Sequence, residues 1–356
     1  MNVYFSLATQ FENLGDEMIN TLLLREVSKR CRLVLFAGSA PNWYVKSVTR
    51  EINEVGHRVD IIHDKTKYIR QLMLAGCFSP GTTILLSCGD VSAKGSSSRK
   101  SLVMNFLSRL PFLTFAQVGA SRLAIHDTDV PWLKRTSIRS GKISVRDRYS
   151  KAELAKHDIR ADLVPDLAFL MQCSPSPAGR RVVIMLREPG NNQDEFSKLI
   201  AQIVGKLKAE GYNPEFAWQV DRDSDFNRKL ATMTNCDILY IPGAGQDRKS
   251  EALDSYSNAP YIISNRLHGL LIAASQGAIP IALLDDRERK VRGVLEHAEL
   301  GDLILSTDTD YEETFDKLTA ILKSRDVYQS HVANAFNTEG RHICSALDQY
   351  FGKSSA

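Results

Sequence analysis

The sequence is poor in the features that would assign it to several common classes. Its six cysteines (Cys31, Cys77, Cys88, Cys173, Cys236, Cys344) form no C-x-x-C pair, and no Cys/His cluster has zinc spacing. Most fall in or beside apolar runs, where cysteine acts as a small hydrophobe, so a reducing compartment is the simplest setting. The opening M-N-V-Y-F-S-L-A-T-Q lacks the basic segment and long apolar core of a signal peptide. The longest apolar stretch, residues 269–284, is broken by Ser275, Gln276 and Pro280, too soon to span a bilayer. These absences lead us to expect a soluble, cytoplasmic protein. Net charge is only +3, which offers no nucleic-acid footprint. It is compatible with small anionic substrates, or with brief contact with the inner face of an anionic membrane.

Several catalytic signatures are also missing. G-A-G at 243–245 lacks the third glycine of a dinucleotide fingerprint, the C-G-D after residues 83–86 is too short for a P-loop, and no G-x-S-x-G elbow occurs. D-R-D-S-D at 221–225 starts like a calcium loop, but Phe226 takes the required glycine position and Thr232 the closing glutamate. It reads as a polar cap before a helix at 226, with a glycosyltransferase metal-binding D-x-D as the alternative. Glu288 and Glu296 have the E-x7-E spacing of some nucleotide-sugar enzymes, a spacing common on charged helices.

What is present is a regular alternation. At 43% hydrophobic, the 356 residues can build substantial cores, and the length exceeds one typical core. Strands are expected at 3–7, 32–36, 58–62, 83–86, 112–117 and 143–146, with helical patterns between several of them. The clearest helix is 16–29, where Met18, Ile19, Leu22, Leu23 and Val27 recur at helical spacing and Asp16 can cap. Ser150 and Glu153 read as a capping box starting a short helix, followed by a strand in A-D-L-V-P-D-L-A-F. C-S-P-S-P-A-G at 173–179 is the best linker. Beyond it the pattern restarts with R-R-V-V-I-M-L-R, a run of the kind buried in a parallel sheet. Further strands are expected at 215–219, 237–241, 261–264 and 279–284, with helices near 194–210, 226–233 and 250–257. Terminal helices follow from about 312. The division expected is 1–172, 180–325, and a helical tail over 326–356. Two α/β layers with parallel sheets would bind ligands at the carboxyl ends of strands, by default in a cleft between domains.

The chemistry concentrates in S-N-R-L-H-G-L-L-I-A-A-S-Q-G at 264–277. Ser264 or Asn265 can cap this helix, and Gly277 suits its end. A buried helix start at a strand's carboxyl end is an anion site. Arg266 adds a guanidinium suited to phosphate or carboxylate, and His268 a proton adjustable near neutrality. On a regular helix the two would point about 200° apart, so they converge only if Arg266 precedes the helix proper. A structural arginine holding a loop carboxylate, beside a satisfied core histidine, explains the same spacing. Asn13, Gly15 and Asp16 fall at the end of the first strand, Arg187 ends R-R-V-V-I-M-L-R, and Lys290 follows the strand at 279–284. A polar turn, a solvated strand end and a surface lysine are their structural alternatives. For Arg146 and Asp147 an internal ion pair is the stronger reading. The basic region 134–160 reads as a solvated surface, or as a surface for an anionic membrane or acceptor.

Taken together, N-L-G-D at 13–16, S-V-R-D-R-Y-S at 144–150, V-P-D-L-A-F at 164–169, the strand ending in Arg187 and S-N-R-L-H-G-L-L-I-A-A-S-Q-G-A-I-P resemble the polysaccharide pyruvyl transferase family. Lys290 falls where members often carry lysine. The chain departs from the family at S-C-G-D-V-S-A-K-G, where members have a run of glycines, and at A-Q-V-G, where they have G-Q-G. The resemblance implies a GT-B-like fold, with two Rossmann-like domains whose parallel sheets face a central cleft. It implies transfer of pyruvate from phosphoenolpyruvate onto two sugar hydroxyls as a cyclic ketal. The acceptor would be an exopolysaccharide, capsule or cell-wall glycan precursor, commonly lipid-linked at the cytoplasmic face. Arg266, Leu267 and His268 carry over as the donor site, with Arg187 as a second donor arginine. His268 would be the general acid and Asp16 the base or acceptor ligand. The scheme needs no metal and no cofactor beyond the donor. A GT-B nucleotide-sugar glycosyltransferase and a non-catalytic glycan-binding relative are the alternatives.

Overall fold

The computed structural model describes residues 1–7, 10–55, 59–91, 98–175, 178–190, 192–241, 244–245 and 247–353. Arg58, Gly243, the middle of the 173–179 linker and the 92–95 part of S-C-G-D-V-S-A-K-G lie outside the described residues. The chain forms two compact units. The first comprises Met1–Phe11, Asp16–Leu167 and Gly340–Ala356; the second comprises Glu12–Gly15 and Ala168–Glu339.

The first unit runs β1 (Asn2–Ser6), α1 (Leu14–Ser28), β2 (Arg32–Phe36), α2 (Asn42–Glu54), β3 (Val59–Ile62), α3 (Lys65–Phe78), β4 (Thr82–Leu85) and β5 (Gly89–Asp90). It continues with α4 (Ser98–Leu107), β6 (Leu113–Ser121), α5 (Val130–Ser140), β7 (Ile143–Val145), α6 (Arg148–Ala155) and β8 (Asp162–Leu163). Among the described residues its parallel strands lie in the order β3-β2-β1-β4-β6-β7-β8, with β5 beside β6. This is the doubly wound pattern, and its switch point falls between β1 and β4. One face is covered by α3, α4 and α5, whose Tyr68, Leu72, Leu107, Trp132 and Leu133 share a core with Tyr4, Val34 and Phe115.

Local chemistry moved several expected boundaries. Helix α1 starts at Leu14, so Asp16 lies within its first turn rather than capping it. A carboxylate there still meets the positive end of the helix dipole. Helix α6 starts at Arg148, and its cap is Asp147, whose side chain accepts from the Ser150 amide at 2.7 Å. Ser150 is therefore not the cap; its hydroxyl is spent on Asp147 and on the Arg122 amide. Arg146 pairs with Asp166 at 2.5 Å, both fully buried, rather than with its neighbour Asp147. That pair joins S-V-R-D to A-D-L-V-P-D-L-A-F, of which only Asp162–Leu163 is strand. Strand β6 outruns its expected end because it pairs first with β4, then shifts register against β7 between Gln117 and Ala120. Gly119 allows the shift: its φ is +60°, and a Cβ there would meet the Pro165 carbonyl at 2.8 Å.

The second unit runs β9 (Arg181–Met185), α7 (Gln193–Ala209), β10 (Asn213–Phe216), α8 (Ser224–Thr234), β11 (Asp237–Ile238) and α9 (Arg248–Tyr256). Then come β12 (Tyr261–Ser264), α10 (Leu267–Ser275), β13 (Ile279–Leu284), α11 (Arg289–His297), β14 (Ile304–Ser306), α12 (Tyr311–Lys323) and α13 (Arg325–Phe351). Its strand order is β11-β10-β9-β12-β13-β14, all parallel, with the switch point between β9 and β12. Helix α10 packs between β12 and β13, and seven of its nine residues are buried alongside the almost fully covered Leu267. A side chain such as Leu270 or Leu271 contributes about 2 kcal/mol on such burial. Gly277 closes the helix with a φ of +88°. No described helix is long and apolar enough to cross a membrane.

Candidate functional site

The switch point of the second sheet is built from the ends of β9 and β12. Past Met185 strand β9 loses its neighbours, and side chains take over the ladder. The Ser264 hydroxyl donates to the Met185 carbonyl at 2.5 Å. The Asn227 side chain accepts from the Leu186 amide at 3.0 Å and donates to its carbonyl at 2.7 Å. Asn265 does the same for Arg187, accepting from its amide at 2.7 Å and donating to its carbonyl at 2.9 Å. Each asparagine thus replaces a missing strand, because one amide offers both a donor and an acceptor. The Arg187 backbone is fixed in this way while its side chain is exposed.

Neither Ser264 nor Asn265 sits at the cap of α10. That position is Arg266, with φ −105° and ψ 114°, and it makes no side-chain cap bond. Ser264 acts one step earlier, accepting from the Arg266 amide at 2.9 Å, and Asn265 serves β9. The extended backbone at Arg266 frees its side chain from the helical phase. The Leu270 amide makes the α-helical bond back to the Arg266 carbonyl, at 3.0 Å. The amides of the turn before it lack helical acceptors and point outward from the sheet's carboxyl end.

Arg266 grips Asp223 through two bonds, Nε at 2.8 Å and an outer nitrogen at 2.5 Å. Asp223 occupies the cap position of α8 but makes no cap bond; its carboxylate faces Arg266 instead. The D-R-D-S-D segment is therefore an arginine clamp rather than a polar cap. Burial pulls the Arg266 guanidinium below its usual pKa; Asp223 opposes this, while nearby Arg222 and Arg187 push the same way. Arg266 is thus the arginine paired with Asp223, and Arg222 and Arg187 lie close enough to add positive charge beside it. We expect Asp223→Asn to cost about 2 kcal/mol, since a charged bidentate pair becomes a neutral one. A urea midpoint unchanged from the parent protein would contradict this.

Leu267 is buried and anchors the turn, and His268 is half-buried on the first turn of α10. Its neighbour is the N-L-G-D segment, whose residues 13–15, with Glu12, belong to the second unit. A Cβ on Gly15 would lie 2.4 Å from His268 Nδ1, 2.5 Å from its Cβ and 2.6 Å from its Cγ. The imidazole therefore rests directly on the Gly15 backbone. Asn13 shapes this loop by accepting from the Gly15 amide at 3.1 Å. Arg248, only 1% exposed, donates to the Glu12 carbonyl at 3.2 Å. Lys290 is the second residue of α11, with its amide held by the cap residue Glu288 at 3.0 Å.

Asp16 falls in the first unit, near Cys88 and Gly89 beyond β4. Burial drives the Cys88 thiol well above its usual pKa, and the charges of Asp16 and Asp166 add to the effect. The structure thus brings Gly15, Arg187, Arg266, Leu267 and His268 to one switch point. It adds Asn227, Asn265, Arg222 and Arg248, none of which the sequence singled out as functional, and Asp223, which the sequence offered only within a metal-binding D-x-D. The acidic D-R-D and the buried arginine opening α9 were the available signals.

Two doubly wound parallel sheets, one with an arginine and a histidine at its switch point, define a GT-B-like fold. Solved structures agree on the fold. Anabaena HepE in complex with UDP superimposes with a TM-score of 0.62 at 10% identity, covering 98% of this chain and 97% of that one. A glycosyltransferase from Rickettsia africae gives 0.60 at 10% identity, covering 98% of each chain. A putative UDP-N-acetylglucosamine 2-epimerase from Listeria monocytogenes gives 0.58 at 11%, covering 98% and 96%. No curated protein matches the chain. The polysaccharide pyruvyl transferase family matches over residues 13–284, and the chain belongs to that family. It is a transferase enzyme of polysaccharide pyruvylation.

Proposed function

We propose that the donor is phosphoenolpyruvate and that the product is a cyclic ketal bridging two hydroxyls of one sugar. The observation that carries this is the convergence of Arg187 and Arg266 on the switch point, with His268 on the adjoining helix turn. Phosphoenolpyruvate carries a phosphate and a carboxylate on one carbon. Two guanidinium groups and a helix N-terminus match both anions. Lys290 supplies further positive charge to this donor.

The chemistry balances without a cofactor. His268 gives a proton to the donor's methylene carbon, which becomes the methyl group, and C2 becomes electrophilic. One sugar hydroxyl adds at C2, the C2–O bond to phosphate breaks, and the second hydroxyl closes the ring. The two hydroxyl protons replace the one His268 gave and protonate the released phosphate. Asp16, which follows Gly15 directly in the chain, is the proposed base for the acceptor hydroxyls. Arg266 and Arg187 offset charge on the departing phosphate. The acceptor is a saccharide of an exopolysaccharide, capsule or cell-wall precursor, carried on a lipid at the inner membrane face.

The test is phosphate release from phosphoenolpyruvate by purified protein, dependent on an added glycan, with the ketal mass appearing on that glycan. Use of a nucleotide sugar without phosphoenolpyruvate turnover would replace this reading with the glycosyltransferase one, which the UDP-bound relative keeps in view. Arg187→Ala is expected to raise the KM for phosphoenolpyruvate about tenfold to a hundredfold, the value of a charge-assisted anion contact. Steady-state kinetics at varied donor would check it.

A further inference from the structure

Helix α4 carries apolar side chains on both its inner side, where Leu107 and Met104 meet the core, and its outer side. Its buried side holds Ser101, Leu107 and, just beyond its end, Ser108, while Leu102, Val103 and Phe106 are exposed, Leu102 by 68%. With Arg99 these residues sit at positions i, i+3, i+4 and i+7, a single helical stripe. Helix α3 repeats the arrangement: Leu74 and Phe78 stand one turn apart, and Phe78 is 76% exposed.

The two stripes belong to one surface. Helices α3, α4 and α5 cover the same face of the first sheet and share its core. The Phe112 amide donates to the Gly76 carbonyl of α3 at 3.0 Å. From α5, Arg139 donates to the Leu110 carbonyl at 2.7 Å and also to that of Pro111. The turn linking α4 to β6 is therefore tied to both neighbouring helices. Phe112 and Ile138 add to the exposed apolar area.

Helices α3, α4 and α5 themselves carry charge of one sign, although Asp64 and Asp129 stand at the starts of α3 and α5 and Asp158 pairs with Lys134. Every charged side chain in residues 65–81, 98–112 and 130–142 is lysine or arginine. Across the whole chain the balance is only +3, so the excess is local.

We infer that the outer face of α3, α4 and α5 docks on an anionic lipid surface. Exposed leucine, valine and phenylalanine enter the boundary between headgroups and acyl chains, while the surrounding lysines and arginines meet lipid phosphates. A second copy of the chain fits less well, because a twofold interface would set this cationic face against itself. Nucleic acid offers no partner for the aliphatic stripe. The inference does not depend on which donor the enzyme uses.

The experiment is co-sedimentation of the full chain with vesicles of phosphatidylcholine, with and without about one-third phosphatidylglycerol. Binding is expected only to the anionic vesicles and should fall as salt is raised, since exposed charges are screened. Lys100→Glu with Arg109→Glu should weaken binding about five-fold or more for each cation removed. Leu102→Ser with Phe106→Ser should weaken it at unchanged net charge, and thermal midpoints of both variants should match the parent because all four side chains are exposed. Equal binding to neutral vesicles, or undiminished binding by both variants, would overturn the inference. So would a parent dimer in sedimentation velocity that Leu102→Ser with Phe106→Ser makes monomeric, because the face would then be a self-interface.

Discussion

His268→Ala is expected to lower kcat for phosphoenolpyruvate-dependent transfer by about 10²- to 10⁴-fold, the usual contribution of a positioned general acid. The donor KM should change little, because the proposed anion contacts reside in Arg187, Arg266 and the start of α10. The two residues separate these roles because Arg266 is extended and His268 is helical. The variant should stay folded: His268 is only half-buried, and the buried apolar side of α10 is untouched. If kcat survives the substitution, protonation of the methylene carbon must be assigned elsewhere.

Gly15→Ala is expected to be nearly as damaging, although it adds one methyl group. The new carbon would fall within 2.6 Å of three His268 atoms, far inside van der Waals contact. Either the imidazole swings away or the 12–15 loop lifts. Displacing a catalytic group by about 1 Å costs on the order of 10²-fold in rate, and overpacking costs about 1–3 kcal/mol in stability. His268 Cβ is fixed by the backbone of α10, so turning the ring clears Nδ1 and Cγ but not Cβ, and the 12–15 segment must lift against the restraints of Arg248 at Glu12 and Asn13 at Gly15. The result expected is a loss of kcat together with a shifted imidazole NMR signal. An unchanged kcat with the His268 signal unmoved would show that Gly15 does not seat the ring.

Much of the fold could be read from the sequence because each unit is a run of β–α repeats. Buried strands such as R-V-V-I-M and the apolar α10 have no other way to hide their side chains. What stayed hidden were hydrogen-bond choices. Ser264, Asn265, Ser150 and Asp223 are all good cap residues, and none serves as the side-chain cap of the expected helix. Each instead satisfies a strand end or a buried arginine far away in sequence. Propensity reports that such a residue can accept a bond, not which donor will reach it. The candidate site was legible in a similar way. Arg266 and His268 announced themselves at a helix mouth, and Arg266 was expected to lie ahead of the helix, as it does. That Gly15 forms the seat of His268 could not be seen, because more than two hundred residues of chain separate them. The weak N-L-G-D signal and the strong R-L-H signal are two halves of one contact.

The last helix has a consequence for synthesis. Residues 340–356 belong to the first unit, where Asp348 pairs with Arg30 at 2.7 Å and the Tyr350 hydroxyl reaches Asp162 at 3.1 Å. The backbone of Phe351 also covers Cys31, whose thiol points at its carbonyl. These residues leave the ribosome only after residues 168–339 of the second unit. Until then Arg30, Cys31 and the end of β8 lack their closing partners, so the first unit closes only after the second has been made. A nascent chain paused within the second unit would hold an unfinished first one, and that stage is where chaperone engagement should concentrate.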